Sequence, residues 1–325
     1  MFLKIKTILV ILLVDAGIIF AQQLPFSNQF LVNRHFLSPS CAGITGNLEA
    51  FLTYQKNTLH FPGGPEFKSL YASGPVLNNM SLGVSVSKSS VTIFNVFSAQ
   101  GYYAYHLKMS EKQFLHFGLS FEYSENYLGT DKQNLSSQTD PYLLEYGYTL
   151  NAGFGLTYAY KTFQLGVVIP RMLGSFIRGQ DRNPAPGSFD PKYSIPTLYR
   201  AYTSCLFNLT NSISLEPVII TELYNNDVAE PIWYNISALL RYKEITSLEF
   251  HYRQGEIMGF GLGFNPTKKI LVHYSYDFSG SGIMKYSSGI QEISIGFLLG
   301  KSNKRNYQRS SFGAHPKQPY YDWIK

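Results

Sequence analysis

Apolar and polar residues alternate one by one through much of this chain. In 270–278, Ile270, Val272, Tyr274, Tyr276 and Phe278 alternate with Leu271, His273, Ser275 and Asp277. In 292–299, Ile293, Ile295, Phe297 and Leu299 alternate with Glu292, Ser294, Gly296 and Leu298. In 247–253, Leu248, Phe250 and Tyr252 alternate with Ser247, Glu249, His251 and Arg253. Residues two apart share a strand face, so one face is apolar and the other mostly polar. Beyond residue 21 no stretch carries helical periodicity with caps. The pattern predicts about fourteen strands, most near the ~9–11 residues that a tilted membrane strand needs. They span 47–57, 66–74, 80–88, 96–107, 113–124, 150–160, 163–170, 200–209, 212–223, 233–243, 245–254, 256–265, 269–277 and 289–299.

The links alternate in length. Pro75–Asn79, Lys108–Lys112, Lys161–Thr162, Thr210–Asn211, Glu244 and Pro266–Lys268 are short. Glu125–Thr149, Arg171–Tyr199, Tyr224–Ile232 and Phe278–Ser288 lie between them, and several are long. A short link near Gly255 breaks the parity. Short turns on one side and long loops on the other predict an all-β fold, a transmembrane antiparallel β-barrel of outer-membrane type. Closure leaves no backbone edge in lipid. An even strand count places both termini on the periplasmic side and the long loops outside.

Composition agrees. Charged residues make up 15% and aromatics 16% of the 325 residues, against about 25% charged in ordinary soluble domains. Tyrosines gather where strand ends are expected: Tyr102, Tyr103 and Tyr105, Tyr123 and Tyr127, Tyr146 and Tyr148, with Trp233 and Tyr234. An interfacial girdle explains them, with a carbohydrate-stacking platform as the alternative.

Lys4 and Lys6, the apolar run from Ile8 and the small Ala21 read as an export signal over 1–21, giving a mature start at Gln22. Residues 22–46 form a periplasmic N-terminal segment, either a flexible leader or a plug of the periplasmic mouth or lumen. The barrel covers 47–299. The tail, 300–325, holds six basic residues against Asp322, while 22–300 is net neutral. That balance excludes nucleic-acid binding for the body. The tail is a solvated extension or a docking segment. Cys41 and Cys205 make no disulfide framework.

The chemistry is sparse. The seven histidines form no helical pair and no cluster with cysteine. His251 and His273, with Glu249 and Asp277, face the lumen if the faces are as drawn. They read as lumen wall or plug contacts, with a catalytic constellation as the sharper alternative. Gly259, Gly261 and Gly263 share one face and read as relief of crowding in a curved wall. No nucleophile elbow or P-loop is present. The expectation is a non-enzymatic protein without cofactor or metal.

The stretch Gln22-Gln23-Leu24-Pro25-Phe26-Ser27-Asn28-Gln29-Phe30, then Asn33, then Leu37-Ser38-Pro39-Ser40-Cys41-Ala42-Gly43, resembles the opening of the PorP/SprF family of Bacteroidetes. That family shows a Gln-x-Pro-x-Tyr-Ser-Gln start and an Asn-Pro-Ala-Tyr-Ala-Gly box. Phe26 stands for Tyr, Ser38 for Asn and Cys41 for the second Tyr. Tyr276-Asp277-Phe278 and Gln291-Glu292-Ile293-Ser294-Ile295 are similar to its far end, with Gln291 for the usual His. Tyr252-Arg253 before the glycine strand also fits. The resemblance implies an outer-membrane barrel of the type IX secretion system. Its implied partners are secreted surface proteins with a type B C-terminal sorting domain, gliding adhesins in some species, and other secretion components including periplasmic ones.

Three functions compete: an accessory or anchor for surface proteins, a porin or ligand-selective channel, and a barrel hydrolase. A porin predicts charge rings in an open lumen, and the charges here are few. Long outward loops suit the first reading. Arg171–Tyr199 combines Arg171, Arg178 and Arg182 with Phe176, Phe189 and Tyr193, and four prolines restrain it; Tyr127 and Tyr142 flank the other loop. Arginine and aromatic anchors are what binding hot spots favour. A gating loop folded into the lumen is the alternative.

Overall fold

The structure, a computed structural model, describes residues 27–59, 63–77, 79–92, 94–128, 147–173, 175–176, 178–179, 194–195, 197–225, 232–243, 245–254, 257–279 and 287–299. The proposed signal and the basic tail lie outside these residues. Fourteen strands close into one antiparallel barrel. They are β1 (Leu48–Leu59), β2 (Glu66–Leu77), β3 (Met80–Val91), β4 (Phe94–Ser110), β5 (Gln113–Leu128), β6 (Gly147–Tyr160) and β7 (Phe163–Ile169), followed by β8 (Thr197–Cys205), β9 (Ile213–Asn225), β10 (Trp233–Tyr242), β11 (Thr246–Arg253), β12 (Ile257–Thr267), β13 (Ile270–Ser279) and β14 (Ser287–Leu299). Each pairs with the next, and β1 closes on β14 from Leu48 opposite Leu299 to Leu59 opposite Ser287.

Every strand expected from the alternation is present. Two connections differ. β3 and β4 keep pairing up to Val91 opposite Phe94, so the expected link there shrinks to a turn at Thr92. The expected strand 200–209 stops at Cys205; Phe207 and Asn208 continue separately along β9. β7 ends at Ile169 because Pro170 has no N–H for the ladder. At the short-turn end, Asn79, Lys161 and Lys243 take φ of 67°, 52° and 46°, the left-handed geometry that tight hairpin turns require.

The polarity is inverted relative to a soluble domain. Outward residues such as Leu82, Val84, Phe260 and Leu262 are at least half exposed, while Ser275, Ser294, His273 and Thr157 on inward faces are buried. A large exposed apolar surface stays out of water only if lipid covers it. Aromatic pairs Tyr123–Tyr148 and Tyr234–Tyr252 sit toward the long-loop end, 6.3 and 6.2 Å between centroids. Tyr102 is not part of a girdle: the alternation turns it inward, where it is buried and meets Ser85 at 3.0 Å.

Inside the barrel lies the segment from Ser27 to Asn47. It folds into three short 3-10 turns, Asn28–Leu31, Arg34–Phe36 and Pro39–Cys41. Ser27 and Ser38 cap the first and last by accepting the N–H of Gln29 and Ser40. Three apolar patches hold it. Phe30, Leu31 and Leu37 pack on Val168, Tyr202, Val218, Ile220 and Leu239. Val32 and Ala42 pack on Phe51, Tyr71, Tyr102, Ala104 and Leu271. Cys41 and Ile44 pack on Phe114 and Ala159.

Candidate functional site

Two regions carry the chemistry: the plugged lumen and the long-loop rim. In the lumen, polar contacts supplement the three apolar patches. Arg34 reaches Glu216 on β9, which also accepts from Arg241 on β10 at 2.9 Å, and Arg34 donates to Gln164 on β7 at 3.2 Å. Burial opposes the Arg34 charge, and Glu216 outweighs it, holding the guanidinium above its usual pKa. Arg200 on β8 donates to the carbonyls of Phe36 and Leu37 and pairs with Glu222 at 2.6 Å. Ser40 meets Thr157 at 2.6 Å, and Thr157 meets Tyr202 at 2.6 Å. Cys41 lies 3.6 Å from the Tyr202 hydroxyl, and burial pushes its thiol pKa up. Cys205 faces outward on β8, so the two cysteines are free.

His35 stacks on Tyr71, rings 3.8 Å apart and 8° from parallel, with Tyr102 edge-on at 6.1 Å. Its Nδ1 donates to the Asn33 side chain at 2.7 Å. Loss of water around the ring lowers its pKa to about 3. His106 on β4 donates from Nε2 to the Ala42 carbonyl at 3.1 Å, since a carbonyl only accepts, and its Nδ1 lies 2.9 Å from Nδ1 of His116 on β5.

The four lumen residues singled out from the alternation do meet. His251 on β11 is held between Glu249 at 3.1 Å and Asp277 on β13 at 2.7 Å. His273 on β13 contacts Glu249 at 3.1 Å and Gln29 of the plug at 3.0 Å. Gln29 also donates to Ser275 at 3.2 Å, and Ser27 donates to Glu292 at 2.5 Å. These pairs cross above β12, which lies between β11 and β13. A Cβ at Gly259 would sit 2.1 Å from His251 Nε2, and one at Gly261 2.7 Å from His273 Cε1. The glycines are therefore the saddle over which the ion pairs pass. Among the described residues no group of three or more His, Cys, Asp and Glu is arranged to hold a metal ion.

At the rim, Arg171 does not project as a loop anchor: it forms a two-point pair with Glu122 on β5, both contacts at 3.1 Å. Tyr127 is half-buried, with the Lys88 ammonium 5.6 Å above its ring. Phe176 lies in a short backbone pairing of Ser175–Phe176 with Ser194–Ile195, and Arg178 pairs through its backbone with Tyr148 of β6. Arg182, Phe189, Tyr193 and Tyr142 lie outside the described residues. Sequence reasoning missed the Arg34–Glu216–Arg241 group, which no local signal marks. It also missed His106–His116, which equal distances from the turn at Glu111 do mark.

A family model described as type IX secretion system membrane protein PorP/SprF matches residues 19–297. No curated protein matches. Among solved structures, the toluene transporter TbuX of Ralstonia pickettii is similar with TM-score 0.52 and 11% identity, covering 81% of this chain and 92% of that one. The CymD monoaromatic hydrocarbon channel is similar with TM-score 0.53 and 10% identity, covering 87% and 96%. At such identities the likeness shows the barrel fold alone.

Proposed function

Since the chain belongs to the PorP/SprF family of type IX secretion system membrane proteins, we propose that this outer-membrane barrel is a non-enzymatic accessory or anchor for surface proteins that the system exports. Its cargo carries a type B C-terminal sorting domain. The short turns and both termini face the periplasm, where other secretion components are met, and the long loops face outward. The observation that carries this reading is the filled lumen. Ser27–Asn47 occupies the barrel, and Glu216, Glu249 and Asp277 there are each bonded to a cationic or histidine side chain. Such packing leaves the described lumen without the open, charge-ringed passage of a porin, and moves the work to the rim. Phe176, Arg178, Arg182, Phe189 and Tyr193, with Tyr127 and Tyr142, are the proposed contact residues. Arg171 contributes by fixing the loop base through Glu122.

Replacing 174–194 by a short Gly/Ser linker tests this. The barrel is expected to stay folded, judged by heat-modifiable gel mobility, while the surface protein is released or its export blocked. A folded barrel with normal cargo on the cell surface refutes the assignment.

A further inference from the structure

Over β1, β2 and β3 the outward face changes from apolar to cationic near the long-loop end. Register sets Leu52, Leu70, Val86 and Ala99 of β1–β4 in one outward row. The next outward row toward the long loops is Tyr54, Lys68, Lys88 and Phe97. One step further, Lys56 stands opposite Glu66. Leu52, Leu70 and Val86 are exposed, so lipid tails cover them. The lysines therefore stand where apolar wall gives way to polar wall, the level of lipid headgroups.

Lys56 and Lys68 each lie 3.3 Å from a Glu66 oxygen, yet both are at least half exposed. The Tyr54 hydroxyl donates to the same carboxylate at 3.4 Å. The Lys68 ammonium sits 5.5 Å over the Tyr54 ring, and that of Lys88 5.6 Å over Tyr127 of β5. Three ammonium groups face one carboxylate, an excess of two positive charges. Glu125, opposite Phe97, bounds the patch on the β5 side. With strands ~4.8 Å apart, the lysines of β1 and β3 are about 10 Å from each other, a span wider than one phosphate. Below the Leu52 row lies Ala50, Ala72, Val84 and Gly101. A Cβ at Gly101 would meet nothing within 4 Å. Side chains this small let an acyl chain lie close to the backbone.

Lysine binds phosphate as a point charge, and clustered lysines beside apolar surface attract anionic lipid. The lysines project sideways from the wall with apolar surface directly beneath them. That geometry suits a lipid headgroup better than a protein arriving from water. An ordinary phospholipid brings one phosphate and two chains. A phosphorylated glycolipid brings several phosphates and chains, together with sugar faces for Tyr54 and Tyr127.

We propose that the outward face of β1–β3, centred on Lys56, Lys68 and Lys88, binds the phosphorylated, acylated sugar headgroup of outer-leaflet lipopolysaccharide. Its phosphates meet the lysines, and an acyl chain lies over Ala50, Ala72 and Gly101. This rests on the outward orientation of the long loops proposed above.

The test is native mass spectrometry of the purified barrel titrated with diphosphoryl lipid A, dephosphorylated lipid A and phosphatidylglycerol. Lys56→Gln, Lys68→Gln and Lys88→Gln are combined in one variant. The control combines Lys161→Gln, Lys243→Gln and Lys269→Gln at the short-turn end, where Lys161 and Lys243 also lie over tyrosine rings. The native barrel is expected to prefer diphosphoryl lipid A. The first variant should lose that binding by about tenfold, as several exposed charge contacts together allow, and the control should keep it. Equal binding of phosphatidylglycerol, or equal loss in the control, overturns the site. Should the variant fail to fold, amine acetylation of the native barrel decides. Protection of Lys56, Lys68 and Lys88 by diphosphoryl lipid A supports the site, and equal protection of Lys161 and Lys243, or none, overturns it. Orientation is read separately from Thr92→Cys, in a Cys205→Ser background, with an impermeant maleimide on intact cells. Labelling only after lysis overturns the orientation and the lipopolysaccharide with it. Labelling from outside in a barrel without lipid A preference overturns the site alone.

Discussion

Replacing Arg34 by alanine is expected to loosen the plug without unfolding the barrel. Arg34 is the plug's only described cation paired with a wall carboxylate. Removing one member of a buried ion pair costs ~3–5 kcal/mol when the other charge is left alone. Glu216 is not left alone, because Arg241 still donates to it at 2.9 Å. The loss is then that of one or two charge-assisted hydrogen bonds, ~2–3 kcal/mol in all. At 1.4 kcal/mol per decade this raises the undocked fraction roughly 30- to 150-fold.

The chain contains its own reporter. Cys41 is 2% exposed, wedged between plug and wall. A thiol reagent reaches it only through local opening, so its labelling rate follows the undocked population. In a Cys205→Ser background, Arg34→Ala should speed Cys41 labelling by that factor while the barrel keeps its heat-modifiable mobility. Glu216→Gln should act more strongly alone, since it strands two guanidiniums, and add little to Arg34→Ala. An unchanged labelling rate in a folded Arg34→Ala barrel would refute the claim that this pair holds the plug.

Two further predictions concern the lumen. His35 carries a pKa of about 3 when docked, through loss of water, against about 6.5 free. Docking is therefore undiminished above pH 6.5 and weakens as pH falls toward 3, by about 2–3 kcal/mol at pH 4.5. Cys41 labelling with an acid-tolerant disulfide reagent should accelerate over that window in the native chain and stay flat in His35→Gln. Gly259→Ala puts a Cβ 2.1 Å from His251 Nε2 and 2.4 Å from Asp277 Oδ1, forcing a buried pair apart at ~3–5 kcal/mol. Gly263→Ala meets chiefly the movable Ser247 hydroxyl at 2.1 Å, so its urea midpoint should fall much less.

The barrel was legible because each strand states its own orientation: one residue in two points to lipid, and lipid demands an apolar side chain. That constraint is local, so 247–253, 270–278 and 292–299 can be read without knowing their neighbours. Strand ends were less legible because ladders continue wherever both partners can bond. Nothing in the polar run Ser87–Ser90 announces that pairing persists to Val91. Pro170 does announce its effect, and it alone among the discrepancies was fully available to inspection.

The site was legible where strand faces and hairpin register mark it, whether or not each mark was used. His106 and His116 are equidistant from one hairpin turn, and register forces them together. His251 and Asp277 are two strands apart, and their contact needs both the strand order and a bare strand between them. The glycine row supplied that second condition in plain sight, and its general reading as relief of crowding was right in kind. What it lacked was the identity of the crowd: two histidines and two carboxylates reaching over β12. Arg34 and Glu216 are 182 residues apart, joined through a segment whose path is set by apolar patches on several strands. No periodicity encodes such a contact. Arg171 teaches the converse. Its place in a long loop suggested a binding anchor, and what it meets is Glu122 of its own barrel. An arginine near a strand end in a barrel with acidic lumen residues is pulled inward first, so the outward contact surface has to be sought further along the loop.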